Sequence, residues 1–447
     1  MSWSVTVLAL GWSILEGIGA ALVLPALAAL IAGNYEGRDR VLAYAVIGGL
    51  AGAGIAVGPI LGGWATTELS WRVVFVGEVV VALAILASLA LVRDVPADRR
   101  PKLDVVGAVL SAGGMALVVF GLLEASVWGW LSPKDSPIEP LGFSLTPFVV
   151  AAGLVVLWLF KVWQQHRERT GRDPLVHLRL LAVRQLRSGL ETFTAQNLIL
   201  MGTFFTIPLY LQLVQGMDAL ETGLTMLPVS ITMFLTSLAG SRLALRYSPR
   251  WLVRAGLAVI LVSVVVLIGS IDPEIDSGTF AVAMALLGVG MGLIASQLGN
   301  VVQSAVGSED RSEAGGLQYT AQQLGSALGV ALIGSIVLSG LAQNFVNQVT
   351  TDERIDAEVS QAVSVNIEGG IPFVSSDDVR TAVVDAGVDE ASAEALVESY
   401  EDAQLTALKA GLLAVGFVTG GALFVTTGLP SRRLGGDDAE AVEAAAS

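Results

Sequence analysis

Eleven apolar stretches, bounded by charge, glycine or proline, run the length of this chain. They lie near residues 5–32, 41–65, 72–92, 104–126, 145–165, 188–214, 220–245, 251–271, 278–302, 314–340 and 405–428. Most match the roughly 20 residues that a helix needs to cross a bilayer. Lipid offers no partner to a backbone amide, so stretches of this kind fold as helices. Hydrophobic residues make up 53% of the 447 and charged ones only 15%. The expected class is therefore an all-α integral membrane protein.

The basic residues give the expected orientation. If the loop carrying Arg38 and Arg40 faces the cytoplasm, 20 of the 25 lysines and arginines fall on that side. The other side holds Arg72, Lys134, Arg354, Arg380 and Lys409. Positive residues gather in cytoplasmic loops, so a multi-pass plasma-membrane protein is expected, with an external N-terminus and a cytoplasmic C-terminus. No basic residue precedes Arg38, so the start does not read as a signal peptide. The net charge of −15 is concentrated: residues 341–403 hold 14 acidic and two basic side chains. That acidity belongs to a water-exposed external loop and does not suit a nucleic-acid partner. With no cysteine, disulfides and thiolate metal sites are excluded. His166 and His177 sit among basic residues, a poor setting for a metal. No metal, cofactor or enzymatic centre is expected, and no Walker-type phosphate loop points to ATP.

Between spans, residues 93–103 form a polar linker with two prolines, and Asp104 should cap the helix that follows. Residues 166–187 read as a basic cytoplasmic linker, partly a surface helix against lipid headgroups. In the acidic loop, Ser376-Asp377-Asp378 should start a short helix that Gly387 ends. Asp389 should start another that runs toward the last span.

The stretch 48–63, GGLAGAGIAVGPILGG, stands apart. Gly54, Gly58 and Gly62 recur every four residues, with Gly48, Gly52 and Ala56 on an adjacent stripe and Gly63 at the end. A bare stripe lets a second backbone approach, and Pro59 should bend the helix. A bulky side chain at Gly58 is expected to clash with the neighbouring helix. The glycines alone fit an ordinary packing face equally well.

Ionisable groups inside spans are costly and tend to be functional. Glu16 and Glu78 sit within spans, Glu191 opens one, and Glu124 lies near a helix end beside Trp128 and Trp130. Such carboxyls serve either to carry a proton or pair a cation, or they simply snorkel to water. Polar stripes form a second set: Thr192, Gln196, Asn197 and Thr203; Gln297 and Asn300; Gln318 and Gln322; Tyr319 and Gln323. They either glue helices together or line a cavity, with Gln212 and Gln215 at its outer rim.

The Gly-Pro-x-x-Gly-Gly ending, followed by Ser70-Trp71-Arg72, resembles the antiporter motif of the major facilitator superfamily, in particular its fourteen-helix drug:proton antiporter branch. The likeness continues along the chain. Glu16 to Ala21 with Pro25 is similar to the family's fourth helix, although Ser13 stands where that motif has Arg and Glu16 where it has Gln. Leu103-Asp104 with Gly107 resembles the start of two extra central helices. Pro208, Tyr210, Leu211, Gln212, Gly216, Gly223 and Pro228 resemble the opening of the second half. Glu313 to Leu317 with Gln323, Gly325 and Gly329 looks like the penultimate helix. On this alignment the first three family helices have no counterpart.

The resemblance implies a major-facilitator bundle of about 11 helices. Residues 1–95 would be what remains of the first bundle. Residues 96–187 would hold two inserted helices and linkers, 188–429 a six-helix second bundle, and 430–447 a cytoplasmic tail. The implied function is export of small amphipathic or cationic molecules in exchange for protons, within membrane lipid. Glu16, Glu78 and Glu191 are the coupling candidates. Gln196, Asn197, Thr203, Gln297, Asn300, Gln318 and Gln322 are the cavity candidates. The rival is a non-transporting paralogue or membrane scaffold.

Overall fold

The computed structural model describes residues 4–34, 54, 58, 60–88, 104–244, 246–307, 310–356, 359–360 and 373–432. They fold into helices, with no strand among them. The chain opens as one long rod: α1 (Val5–Leu8), a π-helical stretch Ala9–Glu16, and α2 (Gly17–Asn34). Residues 60–64 are helical and pass into a second π stretch, Ala65–Leu69, before α3 (Arg72–Ser88). The 41–65 span falls largely outside the described residues. Two helices, α4 (Val105–Trp128) and α5 (Thr146–Arg169), form a central hairpin. The second half comprises α6 (Leu178–Ala182), α7 (Arg184–Leu209), a third π stretch Tyr210–Val214, α8 (Ala219–Thr225), α9 (Leu227–Leu243), α10 (Pro249–Ser270) and α11 (Ser277–Gln303). It ends with α12 (Arg311–Thr351), α13 (Ser376–Asp385) and α14 (Glu390–Val425). Among the described residues, eight helices are long and apolar enough to cross a membrane. The bent pair of Ala219–Thr225 with Leu227–Gly240, at 41°, makes nine.

The core lies in the second half. Tyr210, Ile260, Phe280, Ile294, Leu298, Val337 and Leu412 are fully buried there. Helices α7 and α12 pack along their length, as do α9, α10 and α11. Small residues allow this: a Cβ on Gly329 would lie 2.5 Å from the Leu198 carbonyl oxygen. That backbone approach is how helices associate where lipid removes the hydrophobic drive.

The acidic cap grows from the membrane helices themselves. At about 1.5 Å per residue, the 41 residues of α12 reach about 62 Å, twice the hydrocarbon thickness. The 36 residues of α14 continue without a break from the loop into the membrane. Ser375 N-caps α13 in a reciprocal box with Asp378, and Gly387, at φ 74°, lies just beyond that helix's end. Asp389 then caps α14. Tyr400, buried against Phe345, accepts the Val374 N–H at 3.0 Å.

At the basic end, Asp104 caps α4 as expected, accepting from the Gly107 N–H at 2.9 Å. It also binds α5: Trp163 Nε1 donates at 3.0 Å and Gln164 Nε2 at 2.9 Å, with Arg167 at 3.6 Å. Burial alone would raise the Asp104 pKa, but the Trp163, Gly107 and Gln164 donors and the Arg167 charge hold it below the ordinary 3.8. A depressed folded value contributes stability that is complete above the ordinary pKa and fades as pH falls through the folded one. The hairpin should therefore loosen in acid, below about pH 4. Asp104→Ala should cost about 2 kcal/mol, since buried donors lose their acceptor. Thermal unfolding in detergent against pH checks both points. A variant as stable as the parent, or still losing the same increment in acid, would remove this role.

Candidate functional site

A cleft of about 460 Å³ opens between the first-half spans and the second half. That volume lies in the range of small-molecule pockets. From the first half come Leu8, Trp12, Gly62, Gly63, Thr66, Trp71, Val74, Phe75 and Glu78. Facing them are Phe204, Pro208 and Gln212, with Ala219, Thr222, Gly223 and Met226.

Local sequence explains the wall. Trp12 meets Phe75 edge to face at 5.7 Å, and Trp71 meets Phe75 the same way at 5.9 Å. The Arg72 guanidinium sits 4.5 Å above the Trp71 ring. Edge-to-face pairs hold rings in fixed orientation, so the wall is aromatic and ordered. Glu16 follows Trp12 by four positions and Glu78 follows Phe75 by three. The ring contact ties together the two helical stretches that carry these carboxylates. Glu78 lines the cleft; Glu16 is not among its lining residues. Opposite, Pro208 lacks a backbone donor, and the chain passes into the Tyr210–Val214 π stretch that carries Gln212. Asp218 and Glu221 form a capping box that seats α8. All three π stretches among the described residues reach this cleft, through Trp12, Thr66 and Gln212. Such stretches are rare and concentrate at functional sites.

At Gly63 the halves approach backbone to backbone. A Cβ there would lie 2.6 Å from the Ala219 oxygen and 2.8 Å from Leu220 Cα. Around Gly54, Gly58 and Gly62 an added Cβ meets no described atom within 4 Å. Gly48, Gly52 and Pro59 lie outside the described residues.

The remaining candidates sit elsewhere. Glu191 lies on the surface of α7, 3.8 Å from Arg187, both well exposed. Gln196 is buried in α7. Asn197 and Thr203 donate back to their own helix, to Phe193 and Ile199. Gln297 donates to the Gly240 carbonyl of α9 at 3.1 Å, which is helix glue. Asn300 is exposed; Gln318 and Gln322 are half-buried on α12. Gln215, one turn beyond Gln212, donates to Tyr210 and to the carbonyls of Asp272 and Pro273.

The basic end holds a metal-type donor set that sequence reasoning missed. Donor atoms of His177, Asp310 and Glu313 lie within 4.8 Å of one another. They are already engaged: His177 Nδ1 meets Glu313 at 2.8 Å, and Arg179 meets Asp310 at 3.1 Å. The 131–136 positions between these partners leave no periodic signal in the sequence.

Residues 1–330 match the family described as the Major Facilitator Superfamily. The chain is 30% identical over 336 residues to the tetracenomycin C resistance and export protein of Streptomyces glaucescens, covering 74% of this chain and 59% of that protein. It is 29% identical to the puromycin resistance protein of Streptomyces alboniger, covering 75% and 65%. It is 26% identical to the multidrug resistance protein Stp of Mycobacterium tuberculosis, covering 73% and 58%. The chain spans less than two thirds of the length of these relatives.

Proposed function

The chain belongs to the major facilitator superfamily, and on that premise we propose that it exports small amphipathic or cationic compounds in exchange for protons. The observation that carries this reading is the aromatic cleft with the Glu78 carboxylate in its wall. A carboxylate in an apolar wall is neutralised either by a proton or by an organic cation. The two ligands therefore compete, which is the requirement for exchange. Trp12, Trp71, Phe75 and Phe204 give an amphipathic molecule apolar and cation–π surface. Rocking of the halves about the Gly63 contact would expose the cleft to either side in turn. Relatives named for antibiotic resistance or export support the direction of transport. The order of the motifs favours the fourteen-helix branch.

The test is efflux of ethidium from proteoliposomes under an imposed pH gradient. Accumulation should track the gradient and collapse with an uncoupler. Gradient-independent retention of the dye would sink the proposal and leave the scaffold reading.

The proposed orientation puts the acidic cap outside and Arg432 inside, following the basic loops. Ser375 is engaged as a cap, so the exposed Thr381 is the better probe. Thr381→Cys, as the chain's single thiol, should react with an impermeant maleimide on intact cells to at least about nine tenths of its yield after lysis. Labelling that needs lysis would reverse the topology.

A further inference from the structure

We propose that the central hairpin α4–α5 is carried as a rigid part of the second half, riding on α12. The hairpin would then move with the second half and not with α3. This rests on the transporter reading only for the motion itself; the attachment stands on geometry.

The hairpin meets α12 at both membrane faces. At the acidic end, Trp130 Nε1 donates to Ser335 Oγ at 3.2 Å. At the basic end, the linker after α5 holds the start of α12. There the His177 ring and its backbone N–H both bind Glu313, and Arg179 binds Asp310. Glu313 and Ser335 are 22 positions apart, which on a helix is about 33 Å, the full hydrocarbon thickness. Between these two staples α4 packs directly along α12.

That linker is itself bound to α5. Gln164 Oε1 accepts the Leu175 N–H at 2.8 Å, Glu168 accepts the Leu178 N–H at 2.9 Å, and Arg167 donates to the Asp173 carbonyl at 2.6 Å. The two hairpin helices are locked by Asp104 at one end. Midway, a Cβ on Gly153 would fall 2.8 Å from the Val118 backbone nitrogen. On its other side α12 lies against α7 at Gly329. The contacts therefore run without a break from hairpin to α12 to α7. The packing of α3 is of another kind: it meets the Ala65–Leu69 stretch and, through Phe75, Trp12. Two fixed points a bilayer apart forbid a tilt of the hairpin relative to α12, whereas one would permit it.

Two measurements test this. In hydrogen exchange, the double variant Trp130→Phe with Glu313→Ala should speed exchange in α4 by about tenfold, the expected loss for two staples. Exchange in α3 should stay unchanged. Unaltered α4 exchange would overturn the attachment whether or not the protein transports. The natural absence of cysteine also allows two spin-label pairs, Ser132→Cys with Gln343→Cys, and Thr67→Cys with Gln343→Cys. On adding ethidium and shifting pH, the Thr67 pair should change distance while the Ser132 pair holds. A Ser132 pair that moves as far as the Thr67 pair would overturn the proposal. If the Thr67 pair is motionless, the transporter reading fails and the exchange result alone decides the attachment.

Discussion

Glu16→Gln is expected to abolish pH-driven export of every substrate, whereas Glu78→Gln should weaken export of cations by about tenfold and spare neutral compounds. The two carboxylates differ in position. Glu78 is part of the cleft wall, within reach of whatever enters. Glu16 lies one turn from Trp12, outside that wall. A cation in the cleft meets Glu78 first, so losing that charge is felt mainly by cations. Loss of Glu16, away from the wall, should strike coupling and not the choice of substrate. Parallel efflux assays with ethidium and an uncharged dye, with and without a pH gradient, separate the roles. Equal losses for both dyes in the Glu78 variant, or intact coupling in the Glu16 variant, would end this division of labour.

Gly63→Leu should reduce export to background, the larger effect of any single change along the glycine-rich stretch. Its first added atom would sit 2.6 Å from a backbone oxygen and 2.8 Å from a backbone carbon, which cannot swing aside as a side chain would. The halves would be wedged apart at this backbone approach, at a cost of several kcal/mol. Gly58→Leu is the informative comparison: among the described residues an added Cβ there meets open space. Efflux rates and detergent melting curves for the two variants should rank Gly63→Leu far below Gly58→Leu. Equal behaviour would mean that the Gly63 approach is not what joins the halves.

Much of the helix plan can be read from the chain alone, because lipid leaves a long apolar stretch little choice but a helix. The caps were legible for a similar reason. Asp104 and Asp389 are short acceptors placed just before helical periodicity begins, and each does accept a first-turn N–H; the helix expected at Ser376 begins there, but its cap is the residue before, Ser375. Glu16 and Glu78 stood out as charges in apolar runs, but the Trp12–Phe75 contact that ties their stretches did not, since nothing at 63 positions' separation marks a pair. Gln212 lines the cleft, while Gln297 is spent on a backbone carbonyl of α9. The π stretches were hidden too. Each is one inserted residue in the backbone hydrogen-bond ladder, which side-chain periodicity does not mark. The staples at Glu313 and Ser335 were invisible because tertiary partners more than a hundred residues apart carry no local signature.

The unbroken length of α12 has a mechanical consequence. A stiff rod pinned in the bilayer and free beyond it is a lever. If α12 tilts by about 10° about the midplane, its far end travels sideways by about 7 Å. On the proposed transport cycle, the cap formed on that end would be displaced with each stroke, far from the substrate. A nanobody gripping the cap and the neighbouring Ser132 turn should therefore leave the pump running, because both belong to the moving arm. One bridging the cap to the Thr67 turn should stall it. Transport assays with the two binders would show whether the arm swings.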